Sequence, residues 1–410
     1  MQDTHRVPTL VKRRTFLARA ASATGALLLT PGHRLWAATE RAEILIGGTM
    51  SQSGRFQAIV QPFTSLANAW ANRVNQRGGI SLQAAGKALP IRFIIYDDQS
   101  SPPTALKFYE RLATVDKVDL FIGPFSSFLT NAALQASVTH QIPFFMSEAN
   151  DAVMFESPNK WRTTGLAPAE WEYKRIADLY AKKGGVQTFA ILGRENLHER
   201  GSVAGFAEEV RKHGFQVVYE NLAPTDTKDF ASIVLAIKQQ NPDVVLVEGI
   251  APPWTIQFLK QARALGLNPK DLVVGHCPVP VIQALGQAAK NIVSAIYSFD
   301  GDTPDHQEFQ AICKTAGFEP WQYSEAGIRY RTYRRIEDAL NRAGSLDEEA
   351  IRAAMWTTNL KLFGEEVITH DERGYGTDYP YPVQVKGAKH VSLWPLSRGL
   401  EIHQFKNGQW

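Results

Sequence analysis

The stretch Val118-Asp-Leu-Phe-Ile-Gly-Pro-Phe-Ser-Ser127 sets an apolar strand, a Gly-Pro turn, two hydroxyls and a helix start in direct succession. Such a junction turns free backbone N–H groups and the Ser127 hydroxyl toward one spot, where the positive end of the helix dipole also falls. The chemistry on offer is capture of a carboxylate or another acceptor group. The same pattern also makes an ordinary strand-to-helix turn. Motifs of catalysis are missing: no Gly-x-Gly-x-x-Gly after a strand, no phosphate loop, no Gly-x-Ser-x-Gly elbow and no His-Glu-x-x-His. Neither an enzyme nor a cofactor is expected. Cys277 and Cys313 are the only cysteines, and no His/Cys cluster has metal-ligand spacing, so no metal site is expected. The two cysteines are read as unpaired or buried thiols.

The 410 residues are enough for two domains with cores of their own, and their apolar content is that of a globular protein. The formal net charge is +3, but the first 38 residues hold six Lys/Arg against one acid, which leaves 38 basic against 40 acidic residues beyond them. The basicity therefore belongs to the leader, and nucleic-acid binding is not expected. Within that leader, Lys12-Arg13-Arg14-Thr15-Phe16-Leu17 followed by the small, apolar run Ala18–Thr30 looks like a twin-arginine export signal, with cleavage near Ala37 or Ala38. Arg19 within the run, and Leu35 and Trp36 before the cleavage region, depart from the usual pattern.

The elements that must position Ser127 alternate between strands and amphipathic helices, the pattern of a doubly wound α/β fold. Ile59, Phe63, Leu66, Trp70 and Val74 mark the buried face of a first helix. Strands are expected at 91–96, 118–122 and 142–145, with helices at 103–115 and 127–140. After Trp161-Arg162-Thr163-Thr164 a second series begins. Its strands are expected at 187–192, 216–219, 244–247, 272–274 and 292–299. Its helices are expected at 201–213, 229–240, 254–265 and 279–285, and two more follow at 305–316 and 321–343. Residues 383–385 and 390–394 read as edge strands, and Trp410 has no evident role.

Five segments appear in register: Ser53-Gly54 after the strand Ile44–Ile46, Asn75-Gln-Arg-Gly-Gly-Ile80, Tyr96-Asp97-Asp98-Gln99, the Gly-Pro-x-x-Ser127 junction, and Ile142-Pro-Phe-Phe-Met-Ser-Glu-Ala-Asn150. With them, residues 42–345 resemble the type I periplasmic solute-binding proteins of ABC importers, in the leucine/branched-chain amino acid and amide-binding branch. The resemblance implies two doubly wound lobes closing on a ligand in the cleft between them, with three chain crossings, placed near Arg162, Ile296 and 374–382. The N-terminal lobe would take 43–162 with 296–375, and the C-terminal lobe 163–295 with 376–410. It further implies a monomer in the periplasm that captures a small polar solute and hands it to a membrane permease. A ligand sensor of the same fold and an exported enzyme are the alternatives.

The resemblance also implies a site. From the first lobe, Ser127 and backbone groups of the loop that carries Glu148, Ala149 and Asn150 would hold the ligand's carboxylate or amide, with Asn150 where relatives carry Thr, and Ser53 would also line the site. Glu148 repels anions if it faces the cleft and has no role if it faces solvent. In the second lobe, His198 stands at a Tyr position of the family and either bonds the ligand or sits in solvent. Ala251 replaces an aromatic, and Trp254 either compensates or packs in the core. His276 and Cys277 stand where amino acid binders place an acid for the α-ammonium. Leucine, isoleucine and valine are therefore expected to bind poorly, unless Glu148 or Glu248 substitutes for that acid.

Overall fold

The computed structural model describes residues 42–297, 301–363 and 366–407. The leader with Arg13 and Arg14, the end of the expected 292–299 strand and Trp410 lie outside the described residues.

The first layer is built from β1 (Ile44–Met50), α1 (Phe63–Gln76), β2 (Ile91–Asp97), α2 (Pro102–Arg111), β3 (Leu120–Ile122), α3 (Ser127–His140), β4 (Phe144–Met146) and β5 (Arg162–Thr164). Its five strands run in the order β2-β1-β3-β4-β5, all parallel. Strands covered on both faces read as continuous apolar runs, and β1 is buried along its whole length. Pro62, which has no N–H to extend a helix backward, separates a short turn carrying Ile59 from α1, so the expected single helix is two pieces.

The second layer follows with α4 (Lys174–Lys183), β6 (Thr188–Arg194), α5 (Leu197–Lys212), β7 (Gln216–Ala223), α6 (Ala231–Gln240), β8 (Val244–Glu248), α7 (Pro252–Ala264), β9 (Asp271–Val274), α8 (Val279–Leu285) and β10 (Val293–Ile296). Next come α9 (Pro304–Thr315), α10 (Ala326–Ala343) and α11 (Glu348–Trp356), then β11 (Tyr381–Lys386), β12 (Lys389–Ser392) and α12 (Leu396–Ile402). The second sheet has seven strands in the order β12-β11-β10-β9-β8-β6-β7. It is parallel from β10 through β7, and β11 pairs antiparallel with both β10 and β12. The tail therefore supplies one interior strand and one edge strand, not two edges.

Although α9 and α10 follow the second sheet in sequence, they cover the first. Phe309, Tyr330, Tyr333 and Ile336 share one core with Ile44, Ile46 and Trp70, and Tyr333 stacks on Trp70 at 5.0 Å between ring centres. The second sheet has its own cores on its two faces. The chain thus passes from one layer to the other after Thr164, after Ile296 and before Tyr381. Cys277 and Cys313 are both unpaired and buried, in separate cores. No helix among the described residues is long and apolar enough to cross a membrane.

Candidate functional site

A small cavity of about 20 Å³, room for about one water molecule, lies where the loops of both layers meet. Phe125, Ser126, Ser127, Glu148 and Asn150 line it from the loops after β3 and β4, and His198, Ile250 and His276 from those after β6, β8 and β9. The chain crossings add Leu166, Glu172 and Tyr297, and the start of α10 adds Glu325 and Ile328. This is the carboxyl end of parallel strands, where doubly wound sheets gather their binding loops.

The first wall is shaped by a close approach. A Cβ on Gly123 would lie 3.2 Å from Ser147 N, so glycine lets the loops after β3 and β4 touch. Ser126 then takes φ +75°, a conformation uncommon outside glycine, and its buried hydroxyl has no hydrogen-bond partner. Ser127 Oγ accepts from the N–H groups of Asn150 (3.3 Å) and Asp151 (3.4 Å). Its own hydroxyl hydrogen stays available to donate. Asn150 Nδ2 donates to the Ala167 carbonyl at 2.8 Å, which turns Asn150 Oδ1 toward His198 Nδ1 at 3.1 Å. That last contact ties the first layer to α5 of the second.

The opposite wall is acidic and imidazole-rich. His276 sits on a left-handed turn after β9, with Nε2 3.5 Å from Glu172 and Nδ1 3.3 Å from Glu325. Glu172 also accepts from the Tyr297 hydroxyl at 2.9 Å. Behind them Glu248 accepts from Tyr173 Oη. A Cβ on Gly275 would fall 1.8 Å from Glu248 Oε2, so only glycine fits above that pair. Burial pushes Glu325 up to about 7 and raises Glu172 against the pull of His276. It also raises Glu248 well above the ordinary carboxylate range, with Glu172 and Glu325 adding. Burial drives His198 down to about 3, with His276 and Arg194 adding, and lowers His276 although Glu172 and Glu199 oppose it. The wall therefore favours neutral imidazoles and carboxyls that ionise readily only against a cation.

Residues 43–390 match a family model described as periplasmic binding protein. The chain belongs to the periplasmic binding protein family. Among its relatives, the Leu/Ile/Val-binding protein homolog 7 of Brucella suis is 24% identical over 345 residues, 79% of this chain and 84% of the relative. The Leu/Ile/Val/Thr-binding protein of Salmonella typhimurium is 25% identical over 288 residues, 69% of this chain and 73% of the relative. In fold, the chain is similar to the leucine-binding protein LivK of Thermotoga maritima, with a TM-score of 0.74 at 18% identity, covering 85% of this chain and 97% of that one. It is also similar to a solute-binding protein of an R. palustris ABC transporter in complex with 4-hydroxybenzoate, with a TM-score of 0.72 at 19% identity, covering 85% and 95%. The resemblance to the leucine/isoleucine/valine-binding branch and the α/β fold it implied both hold.

In this periplasmic binding protein Ser127, Glu148, Asn150, His198 and His276 line the cavity; the other five expected residues do not. Ser53 is spent on Asp97, donating from its hydroxyl at 2.7 Å and its N–H at 3.2 Å. Ala149 packs in the core on the outer side of the first sheet. Ala251 precedes α7, and Ile250 faces the cavity in its place. Trp254 packs edge-on against Phe230 at 4.9 Å and donates to the Pro224 carbonyl. Cys277 is buried in the second core, its thiol pushed up to about 12. His198 lies in the first turn of α5, because the helix starts at Leu197 rather than Gly201. Glu148 faces the cavity but does not present a free charge: Arg329 Nε lies 2.6 Å from it. Burial still raises Glu148 to about 7 against the pull of that arginine.

Sequence reasoning missed Ser126, Glu172, Tyr297 and Glu325. Ser126 was visible beside Ser127; Glu172 and Tyr297 sit on chain crossings and Glu325 at the start of α10, where no local motif marks them. It also missed a metal-capable group. Glu172, His198 and His276 each offer a ligand atom within 4.8 Å of the others, although no short spacing joins them in sequence.

Proposed function

We propose that this chain is the extracytoplasmic substrate-binding component of an ABC importer, a monomer that captures a small polar solute by closing two lobes. The first lobe is built on the β1–β5 sheet with α9–α11, and the second on the β6–β12 sheet. The three passages between layers serve as the hinge. Binding energy biases the closed form, which a membrane permease reads. Export to the periplasm follows the twin-arginine signal around Arg13 and Arg14.

One observation carries the proposal: the walls of the cavity are chemically opposite. The α3 N-terminus with Ser126 and Ser127 suits a carboxylate or amide oxygen. Glu172, Glu325 and His198 suit a cation or a donor-rich group. Relatives include proteins named for binding leucine, isoleucine and valine, and a structural neighbour is in complex with 4-hydroxybenzoate. The expectation that branched-chain amino acids bind poorly rested on a missing acid at 276–277 and on a missing aromatic at Ala251-Pro252, where Ile250 alone lines the cavity. Glu172 and Glu325 now occupy the region of that missing acid from elsewhere in the chain, so amino acids return to the candidate solutes beside amides and organic acids. A thermal-shift panel of amino acids, amides, ureas and aromatic acids tests the proposal, because a ligand of the folded state raises the melting temperature by mass action. Saturable stabilisation by one class, without turnover, is the expected result. Conversion of the stabilising compound to product would assign the cleft to an enzyme instead.

A further inference from the structure

Glu172, His198 and His276 come from three different loops, and their ligand atoms converge within 4.8 Å of one another at the cavity. All three side chains are buried. The protonation of His198 follows from its neighbour. Asn150 Nδ2 is committed to the Ala167 carbonyl, so Asn150 Oδ1 is the atom facing His198 Nδ1 at 3.1 Å. Nδ1 therefore carries the hydrogen, and Nε2 is a bare lone pair, buried and without a hydrogen-bond partner. Glu172 accepts from Tyr297 with Oε2, and its Oε1 is likewise buried without a hydrogen-bond partner. His276 can hold its hydrogen on Nδ1, which faces Glu325 at 3.3 Å, and then its Nε2 lone pair faces Glu172 Oε1 at 3.5 Å.

With His276 in that tautomer, three lone-pair acceptors converge with no donor among them. Burying such groups is unfavourable unless something positive satisfies them. We propose that Glu172, His198 and His276 bind one divalent first-row transition metal ion of the zinc, cobalt or nickel class. Two neutral imidazoles and one carboxylate form a ligand set suited to these ions, leaving a fourth position for an outside ligand. Tetrahedral bonds of about 2.0–2.1 Å place ligand atoms roughly 3.3 Å apart, so the three side chains must draw together by up to about 1.5 Å. Each one already has the second partner that metal ligands usually have: Asn150 behind His198, Tyr297 behind Glu172 and Glu325 beside His276. Ser126 and Ser127 line the same cavity. A solute carboxylate completing the metal's coordination would therefore also meet the α3 N-terminus. This last step rests on the solute-binding function proposed above, whereas the metal site itself does not.

The test uses tag-free full chain stripped with EDTA, then dialysed against Co2+, Zn2+ or Ni2+, with metal content measured per chain and the Co2+ visible spectrum recorded. One ion per chain is expected, with a spectrum of low-symmetry nitrogen and oxygen coordination. His198→Ala and Glu172→Gln should each weaken binding at least tenfold. Asn150→Ala, which leaves all three ligands in place, should weaken it about 10- to 100-fold. Circular dichroism of each stripped variant confirms that it is folded, and any that is not is replaced by His276→Gln. Substoichiometric metal, or retention unchanged in the folded variants, overturns the site. The thermal-shift panel repeated with stripped protein separates the two proposals. Stabilisation by an amino acid together with failure to bind metal leaves solute capture standing and gives the acceptor cluster to the solute's own ammonium, which overturns the metal. Stoichiometric metal with no stabilising solute upholds the metal site and removes solute capture.

Discussion

Asn150 joins the two layers at the cavity. Its amide donates to Ala167 O at 2.8 Å and faces His198 Nδ1 at 3.1 Å, joining the loop after β4 to the start of α5. Asn150→Ala leaves two buried groups unpaired, each costing about 1–3 kcal/mol, so a loss of about 2–6 kcal/mol is expected for the pair. His198→Ala removes only the second contact and leaves Asn150 Oδ1 unpaired. If the two side chains act on each other as the geometry shows, the double variant loses less than the sum, by about 1 kcal/mol within the usual range of about 0.5–3 for contacting residues. Urea unfolding of the four proteins in EDTA, followed by tryptophan fluorescence, measures this coupling without metal or solute. Additivity within about 0.3 kcal/mol would show that the layers are not joined through this contact.

Gly275→Ala forces a methyl to within 1.8 Å of Glu248 Oε2 and 2.7 Å of Tyr173 Oη, so a loss of at least about 1–3 kcal/mol is expected; an unchanged melting temperature contradicts that packing. His306, buried in the first turn of α9, is held down to about 4 by burial first and by Arg331, against Asp305 and Asp302. The folded state therefore binds fewer protons than the unfolded one between about pH 6.5 and 4, and this contribution to stability is present above 6.5 and lost as the pH falls through that window. His306→Gln should flatten the wild-type slope there by up to about 1.4 kcal/mol per pH unit, and parallel slopes would place the titration elsewhere. Changing both Arg13 and Arg14 to lysine should hold the precursor in the cytoplasm, and a normal periplasmic yield would count against the twin-arginine route.

The alternation of strands and helices was legible because both layers are nearly regular: α3 and α8 begin and end where the periodicity puts them. β5 was not: β3 and β4 are equally short but apolar, whereas Arg162–Thr164 is polar, has no apolar run to mark it and read as a boundary. The first wall was legible through Ser127 and Asn150 because a Gly-Pro turn and a loop after an apolar strand leave a local signature. Of the second wall, His198 and His276 were legible but the acids were not, because Glu172 lies on a chain crossing and Glu325 at the start of α10, where no local motif marks them. Glu148 shows the same limit from the other side. Its sequence neighbours suggested a free charge, and only the fold brings Arg329 to it.

The central claim is tested most directly by calorimetric titration of the compound that stabilises the protein best in the thermal-shift panel. Wild type is compared with Ser126→Ala and Glu325→Gln. Ser126 Oγ has no hydrogen-bond partner among the described residues, so Ser126→Ala reads the solute contact, whereas Glu325→Gln removes the carboxylate while keeping an amide oxygen that can face His276. One site per chain is expected, with each variant weaker by roughly 1–2 kcal/mol, about 5- to 30-fold in Kd. An affinity unchanged in both variants would place the solute outside this cavity.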